Sequence, residues 1–193
     1  MERTFLPTIE LNDIILREVV TKDYLDMFEY GSDIEVVMFL SWGPFIKKKE
    51  AKKAIKKVFL TRPKRGLPVG YAIIDKANGK MIGTIDYHTK YSGNMVEIGY
   101  VLNRSYWNKG IVTKALKEVI RIGFEVLGYD ALIIKHSRRN NASKRVIEKN
   151  DFNYYETREK EFFNRLFKDF EDVLVYKMTL HDYYEKKGEE NAS

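Results

Sequence analysis

The stretch from Tyr100 to Leu116, YVLNRSYWNKGIVTKAL, constrains this chain more than any other. Tyr100-Val101-Leu102 ends a run that reads as a buried strand. A short polar turn follows, and Gly110 opens a run whose apolar residues recur at helical spacing. A strand that turns straight into a helix points to a sheet with helices packed on it. The helix start carries Lys109, Gly110 and Thr113, with no acidic residue in its first turn. Such a start has N–H groups without intrahelical partners and the positive end of the helix dipole. Glycine lets a ligand approach the backbone, so this start is suited to hold phosphate. The same residues also describe an ordinary strand-to-helix connection.

Length and composition narrow the class. At 193 residues the chain is long enough for one domain with a full core, and 44% hydrophobic with 32% charged residues suits a soluble globular protein. There is no cysteine, which excludes disulfides, thiolate metal sites and a cysteine nucleophile. Three histidines without a His-Glu-x-x-His pattern predict no metal site. Met1-Glu2-Arg3-Thr4 lacks a signal-peptide pattern, and no apolar run approaches the length of a membrane span, so a cytoplasmic protein is expected. The net charge of +6 is unevenly placed. Between Ile46 and Gly66 ten basic residues face one acid, Glu50, leaving +9 there and −3 over the rest.

Periodicity gives the order of elements. Thr8–Arg17 reads as a first strand, and Thr21 as the cap of a helix carrying Tyr24, Leu25 and Phe28. A helical stretch near Asp33–Leu40 is broken by Trp42-Gly43-Pro44. The lysine-rich segment has Ala51, Ala54, Ile55, Val58 and Phe59 on one side, the pattern of an amphipathic helix. Val69–Asp75, Lys80–His88 and Met95–Leu102 read as a strand meander. After the helix from Gly110 come strand Ala131–His136, a helix from Ser143, and strands Phe152–Glu159 and Asp172–Leu180. The expected organisation is one α+β domain over residues 1–182 and a polar, frayed tail from 183 to 193.

A second segment makes the pattern specific. Asn140-Asn141-Ala142-Ser143 and Glu148-Lys149-Asn150-Asp151-Phe152 follow the apolar run Ala131–Ile134. With Glu97-Ile98-Gly99-Tyr100 and Tyr106-Trp107-Asn108-Lys109-Gly110-Ile111-Val112-Thr113-Lys114-Ala115, the chain resembles the GNAT acetyltransferase superfamily, in particular its RimJ/RimL-like branch. The likeness covers roughly residues 68–180. It implies the GNAT fold, a mixed central sheet whose two middle strands splay apart to admit the cofactor. It also implies transfer of the acetyl group of acetyl-CoA to a primary amine, by direct attack in a ternary complex.

In the residue-by-residue reading that the resemblance gives, the backbone of Asn108, Lys109, Gly110, Ile111, Val112 and Thr113 wraps the diphosphate of coenzyme A. Tyr100, Val101 and Leu102 pair with the pantetheine arm, and Asn140 joins the cofactor site. Val112 stands where the family has a small residue, and Asp151 where it has glycine. Ile147 occupies a position often held by a catalytic tyrosine, so the resemblance points to Ser143 as the acid for the departing thiolate; a helix-cap or first-turn role is the other reading. Glu97 is the candidate base, direct or through water, with His88 and His136 as alternatives. The implied acceptor is a protein N-terminus, notably of a ribosomal protein, or a small amine. Lys47–Arg65 offers contact to an acidic partner or RNA, or is a solvated helix face. A monomer or homodimer without membrane contact is expected. The other function class is a basic RNA- or ribosome-binding protein that keeps the fold without activity.

Overall fold

A computed structural model describes residues 4–192. Its strands are β1 (Ile9–Glu10), β2 (Ile14–Glu18), β3 (Tyr71–Asp75), β4 (Met81–Tyr91), β5 (Met95–Leu102), β6 (Ala131–Ser137), β7 (Asn153–Asn164) and β8 (Asp169–Thr179). Its helices are α1 (Tyr24–Gly31), α2 (Ile34–Val37), α3 (Lys48–Ala54), α4 (Ile111–Arg121), α5 (Asn141–Glu148) and α6 (Leu180–Ala192). The strand order is β1-β2-β3-β4-β5-β6-β8-β7. The β5–β6 pair is parallel and β6–β8 antiparallel, so the sheet is mixed, as expected for an α+β fold. The chain gathers into two compact units, Met1–His88 with Gly99–Ala115, and Thr89–Ile98 with Leu116–Ser193.

In the first unit the expected opening strand breaks in two. The Leu11 amide donates to the Ile14 carbonyl at 2.9 Å, and this reversal pairs Ile9 with Leu16. Thr21 does not cap the next helix. The Asp23 carboxylate accepts from the Val20 amide at 2.9 Å and is held by the Arg17 guanidinium at 2.7 Å. A short tight turn, Thr21–Asp23, then leads into α1. A carboxylate held by arginine is a stronger acceptor than a hydroxyl.

The lysine-rich segment is helical and buries Ala51, Ile55 and Phe59 in a core with Met27, Tyr30, Val69 and Met81. Val58, expected on that buried side, is 44% exposed. A wide turn over Ile55–Phe59, closed by the Leu60 amide on the Ile55 carbonyl, changes the advance per residue and turns Val58 outward. Arg62 is the other exception. Counted from sequence among the surface charges, it is buried, pairs with Asp86 at 2.9 Å and donates to the Val69 carbonyl at 3.0 Å. Its guanidinium lies over Phe59. The polar positions Thr84 and Asp86 of β4 are buried as well.

In the second unit β6 is the centre. Met95–Ile98 of β5 pair with Ala131–Ile134 on one side, and β8 pairs along the whole of β6 on the other. Strands β7 and β8 run further toward each other than the sequence indicates, to Asn164 and Asp169, and form a long hairpin. Helix α4 buries Ala115, Leu116 and Val119 and continues through a wide turn closed by the Leu127 amide on the Ile122 carbonyl. Of the tail expected to fray, residues 183–192 continue α6, and Ser193 lies outside the described residues. Tyr183 stacks on Phe124 at 5.0 Å and its hydroxyl donates to Glu125 at 2.6 Å.

Candidate functional site

Strand β5 leaves its parallel ladder early. Pairing with β6 runs from Met95↔Ala131 to Ile98↔Ile134 and stops, although β5 continues to Leu102. Its end is shaped by a neighbour the sequence reading overlooked. A Cβ on Gly83 would lie 2.2 Å from the Val101 carbonyl oxygen, so only glycine lets β4 pass this close. The signal was present: a lone glycine inside a strand pattern marks a close backbone approach.

The loop after β5 is held at both ends. Asn103 donates its amide to the Ile82 carbonyl at 2.7 Å, and its side-chain oxygen accepts from Ser105 at 3.0 Å. The Trp107 indole donates back to the Leu102 carbonyl at 2.8 Å. The Tyr106 hydroxyl reaches Asp75 at 3.0 Å, and the Lys109 ammonium lies over the Tyr106 ring. Asn108 and Gly110 both take positive φ, 58° and 69°. Asparagine and glycine are the residues that tolerate this conformation. A Cβ on Gly110 would meet nothing within 4 Å, so the backbone there faces open space. The first bond of α4 runs from the Lys114 amide to the Gly110 carbonyl at 3.1 Å. The amides of Ile111, Val112 and Thr113 therefore precede the intrahelical ladder and, with no acid in the first turn, are suited to an anion. This geometry fits a diphosphate. Val112 is half-buried and does not fill that space.

The remaining candidates lie in the second unit. The Asn140 side-chain oxygen accepts from the Ser143 amide at 3.0 Å, so Asn140 is the cap of α5 and Ser143 its buried third residue. Ile147 is fully buried, and Asp151 takes φ 59°, the left-handed region that favours glycine. Glu97 is not an isolated strand-edge carboxylate. It accepts from the Tyr91 hydroxyl at 2.5 Å and lies 3.6 Å from the Lys135 ammonium, which also faces Glu161 at 3.3 Å. Burial, then the bond to Glu97, pushes the Tyr91 phenol up. Burial pulls Lys135 down, but Glu97 and Tyr91 more than offset it and the ammonium is held above its ordinary range. Sequence reasoning missed Tyr91 because it lies past the expected strand end at His88, and Lys135 because it is an ordinary strand residue until the strands are paired.

His136 is buried, with Nδ1 2.7 Å from the Ser137 carbonyl, Nε2 without a hydrogen-bond partner, and the ring stacked on Tyr176. Burial pushes its pKa down. His88 packs against Gly99, where a Cβ would lie 2.8 Å from the ring. Among the described residues no group of His, Asp and Glu is arranged to hold a metal, and no helix is long and apolar enough to cross a membrane.

Residues 13–153 match the model of the acetyltransferase (GNAT) domain family. The chain is similar to the uncharacterized N-acetyltransferase YnaD of Bacillus subtilis, 26% identical over 136 residues that cover 70% of this chain and 76% of that one. It is 28% identical to the uncharacterized N-acetyltransferase YoaA of the same organism, over 76% of this chain and 82% of the other. Among solved structures, an acetyltransferase of the GNAT family from Bacillus anthracis superposes with a TM-score of 0.79 at 22% identity, covering 91% of this chain and 99% of that one. A RimL ribosomal L7/L12 alpha-N-protein acetyltransferase in complex with coenzyme A superposes with a TM-score of 0.81 at 19% identity, covering 91% and 99%. By its family match, its relatives and its fold, this chain belongs to the GNAT acetyltransferases, with the fold of the RimL-like members.

Proposed function

We propose that the chain transfers the acetyl group of acetyl-CoA to a primary amine, on a protein N-terminus or a small molecule, by direct attack in a ternary complex. The observation that carries this is the start of α4. The amides of Ile111, Val112 and Thr113 stand outside the helical ladder behind a glycine that faces open space, beside Lys109. These groups, with the backbone of Asn108, would hold the diphosphate. Tyr100, Val101 and Leu102 lie past the end of the β5–β6 ladder and would bind the pantetheine amides as an added strand. Bound acetyl-CoA supplies a thioester carbonyl as the electrophile.

The amine must lose a proton to become a nucleophile, and the leaving thiolate must be stabilised. Glu97 takes the first role, directly or through water. Tyr91 and Lys135 fix its carboxylate, so the proton acceptor has one orientation. Ser143 takes the second, as the hydroxyl that donates to the thiolate. Asn140 joins the cofactor site through its amide nitrogen, since its oxygen caps α5. The relevant assay is acetyl transfer from acetyl-CoA to N-terminal peptides and to polyamines, read as thiol release. Activity on one acceptor class supports the proposal; no thiol release with any primary amine, by a protein that binds acetyl-CoA, refutes it.

A further inference from the structure

Most of the excess positive charge sits on one helix, and the structure shows what balances it. The only acid in the segment is engaged by the backbone at the start of the helix. Glu50 Oε2 accepts from the Ile46 and Lys47 amides at 2.7 and 3.2 Å, and these bonds hold its carboxyl below the usual range. Lys48, Lys52 and Lys56 form one row at four-residue spacing, and Lys49, Lys53 and Lys57 form the next. All six are exposed. Among the described residues none of them lies within ion-pair distance of a carboxylate; Lys52 has only the Tyr24 ring, at 5.2 Å. Elsewhere in this unit cations stand beside acids, as in Arg17–Asp23, Lys80–Glu29, Arg104–Asp33 and Lys114–Asp13.

The surroundings favour one kind of polyanion. The exposed apolar residues near the rows are aliphatic: Ile46 at 73%, Val58 at 44% and Leu60 at 36%. The segment's one aromatic, Phe59, is buried under Arg62, and the Tyr24 ring is half-buried and covered by Lys52, so no exposed ring interleaves with the rows for base stacking. The rows contain no arginine, the residue whose planar fork matches phosphate. Point charges interleaved with aliphatic side chains match a segment of glutamates or aspartates with leucine-like neighbours. We infer that the exposed face of α3 and its wide turn docks an acidic segment of the protein whose amine is acetylated. This rests on the proposed transferase activity; the docking itself is an independent binding event.

The test uses the full chain and three labelled probes: a glutamate- and leucine-rich peptide, an oligouridylate of equal formal charge, and an uncharged serine-glycine peptide of equal length. Anisotropy is read across a salt series for the native protein and for a Lys49→Gln, Lys52→Gln, Lys53→Gln, Lys56→Gln variant, whose changes spare Ala51, Ile55 and Phe59. The acidic peptide should bind best. The variant should lose roughly tenfold or more of that affinity, with a shallower salt dependence. A lysine-to-arginine version at the same four positions should keep it. Tighter binding of the oligouridylate, or a variant that melts like the native protein and keeps both affinity and salt slope, overturns the inference. Acetyl-CoA binding by both proteins is followed in parallel. Its absence counts against the transferase reading, while the peptide result still decides the docking.

Discussion

Ser143 and Glu97 stand in different settings, and their predictions differ accordingly. Ser143 is buried in the first turn of α5, with its amide held by Asn140. Ser143→Ala should lower kcat by roughly tenfold or more if the hydroxyl donates to the thiolate, with little change in acetyl-CoA affinity. A variant with native kcat and reduced stability assigns the residue to helix structure alone. Glu97→Gln keeps the bond to Tyr91 and removes the basic carboxylate. It should reduce kcat and flatten the acidic limb of the pH–rate profile, and an unchanged profile moves the base to His88 or to a water chain. His136 gives a prediction of its own. Burial lowers its pKa, so the folded protein binds fewer protons than the unfolded chain. Stability should therefore fall as pH drops below about 6.5, the unfolded value. Urea unfolding at successive pH values should show a shallower fall for His136→Phe. Residue identities were legible where backbone geometry fixes them: Gly110, and Asp151 in place of glycine, take positive φ. The partners of Glu97 were not, because Tyr91 and Lys135 meet it only through strand pairing and a neighbouring turn.

At the scale of elements, charge pattern misleads where packing decides. Arg62 lies in a run of surface cations, yet the core takes it in because Asp86 and the Val69 carbonyl wait there. Arg62→Ala should cost about 3–5 kcal/mol in chemical denaturation, since it leaves Asp86 buried without its partner. Arg62→Met with Asp86→Leu should cost less than the two single changes together. A loss below 1 kcal/mol for Arg62→Ala, on the order of an exposed pair, contradicts this account. The strand limits of β5 and the start of α4 were legible from apolar runs and glycine. The wide turns after α3 and α4 were not: Val58 and Phe59 both fit ordinary helical spacing from Ile55, and only the wide turn decides that Phe59 is the one buried. The β7–β8 hairpin was also read short. Phe163 and Phe170 near its tip are 46% and 55% exposed, and aromatic residues outside a core blur the alternation that marks a strand end.

For the whole molecule, the ordered pair of segments, Glu97–Ala115 and Asn140–Phe152, carried the family, and the fold agrees with it. The basic balance of the chain carried less: its concentration between Ile46 and Gly66 is plain in the sequence, but that the lysines of α3 have no acid beside them is visible only once the acids have been placed. The central claim is that the start of α4 holds the diphosphate of acetyl-CoA. Isothermal titration of acetyl-CoA into the native protein and into Gly110→Asp tests it most directly. The substitution puts a negative charge at a helix start and a side chain on a backbone at φ 69°. The native protein should bind and the variant, folded with a native circular dichroism spectrum, should give no heat. Equal affinity for both proteins, or no binding by the native one, contradicts the account.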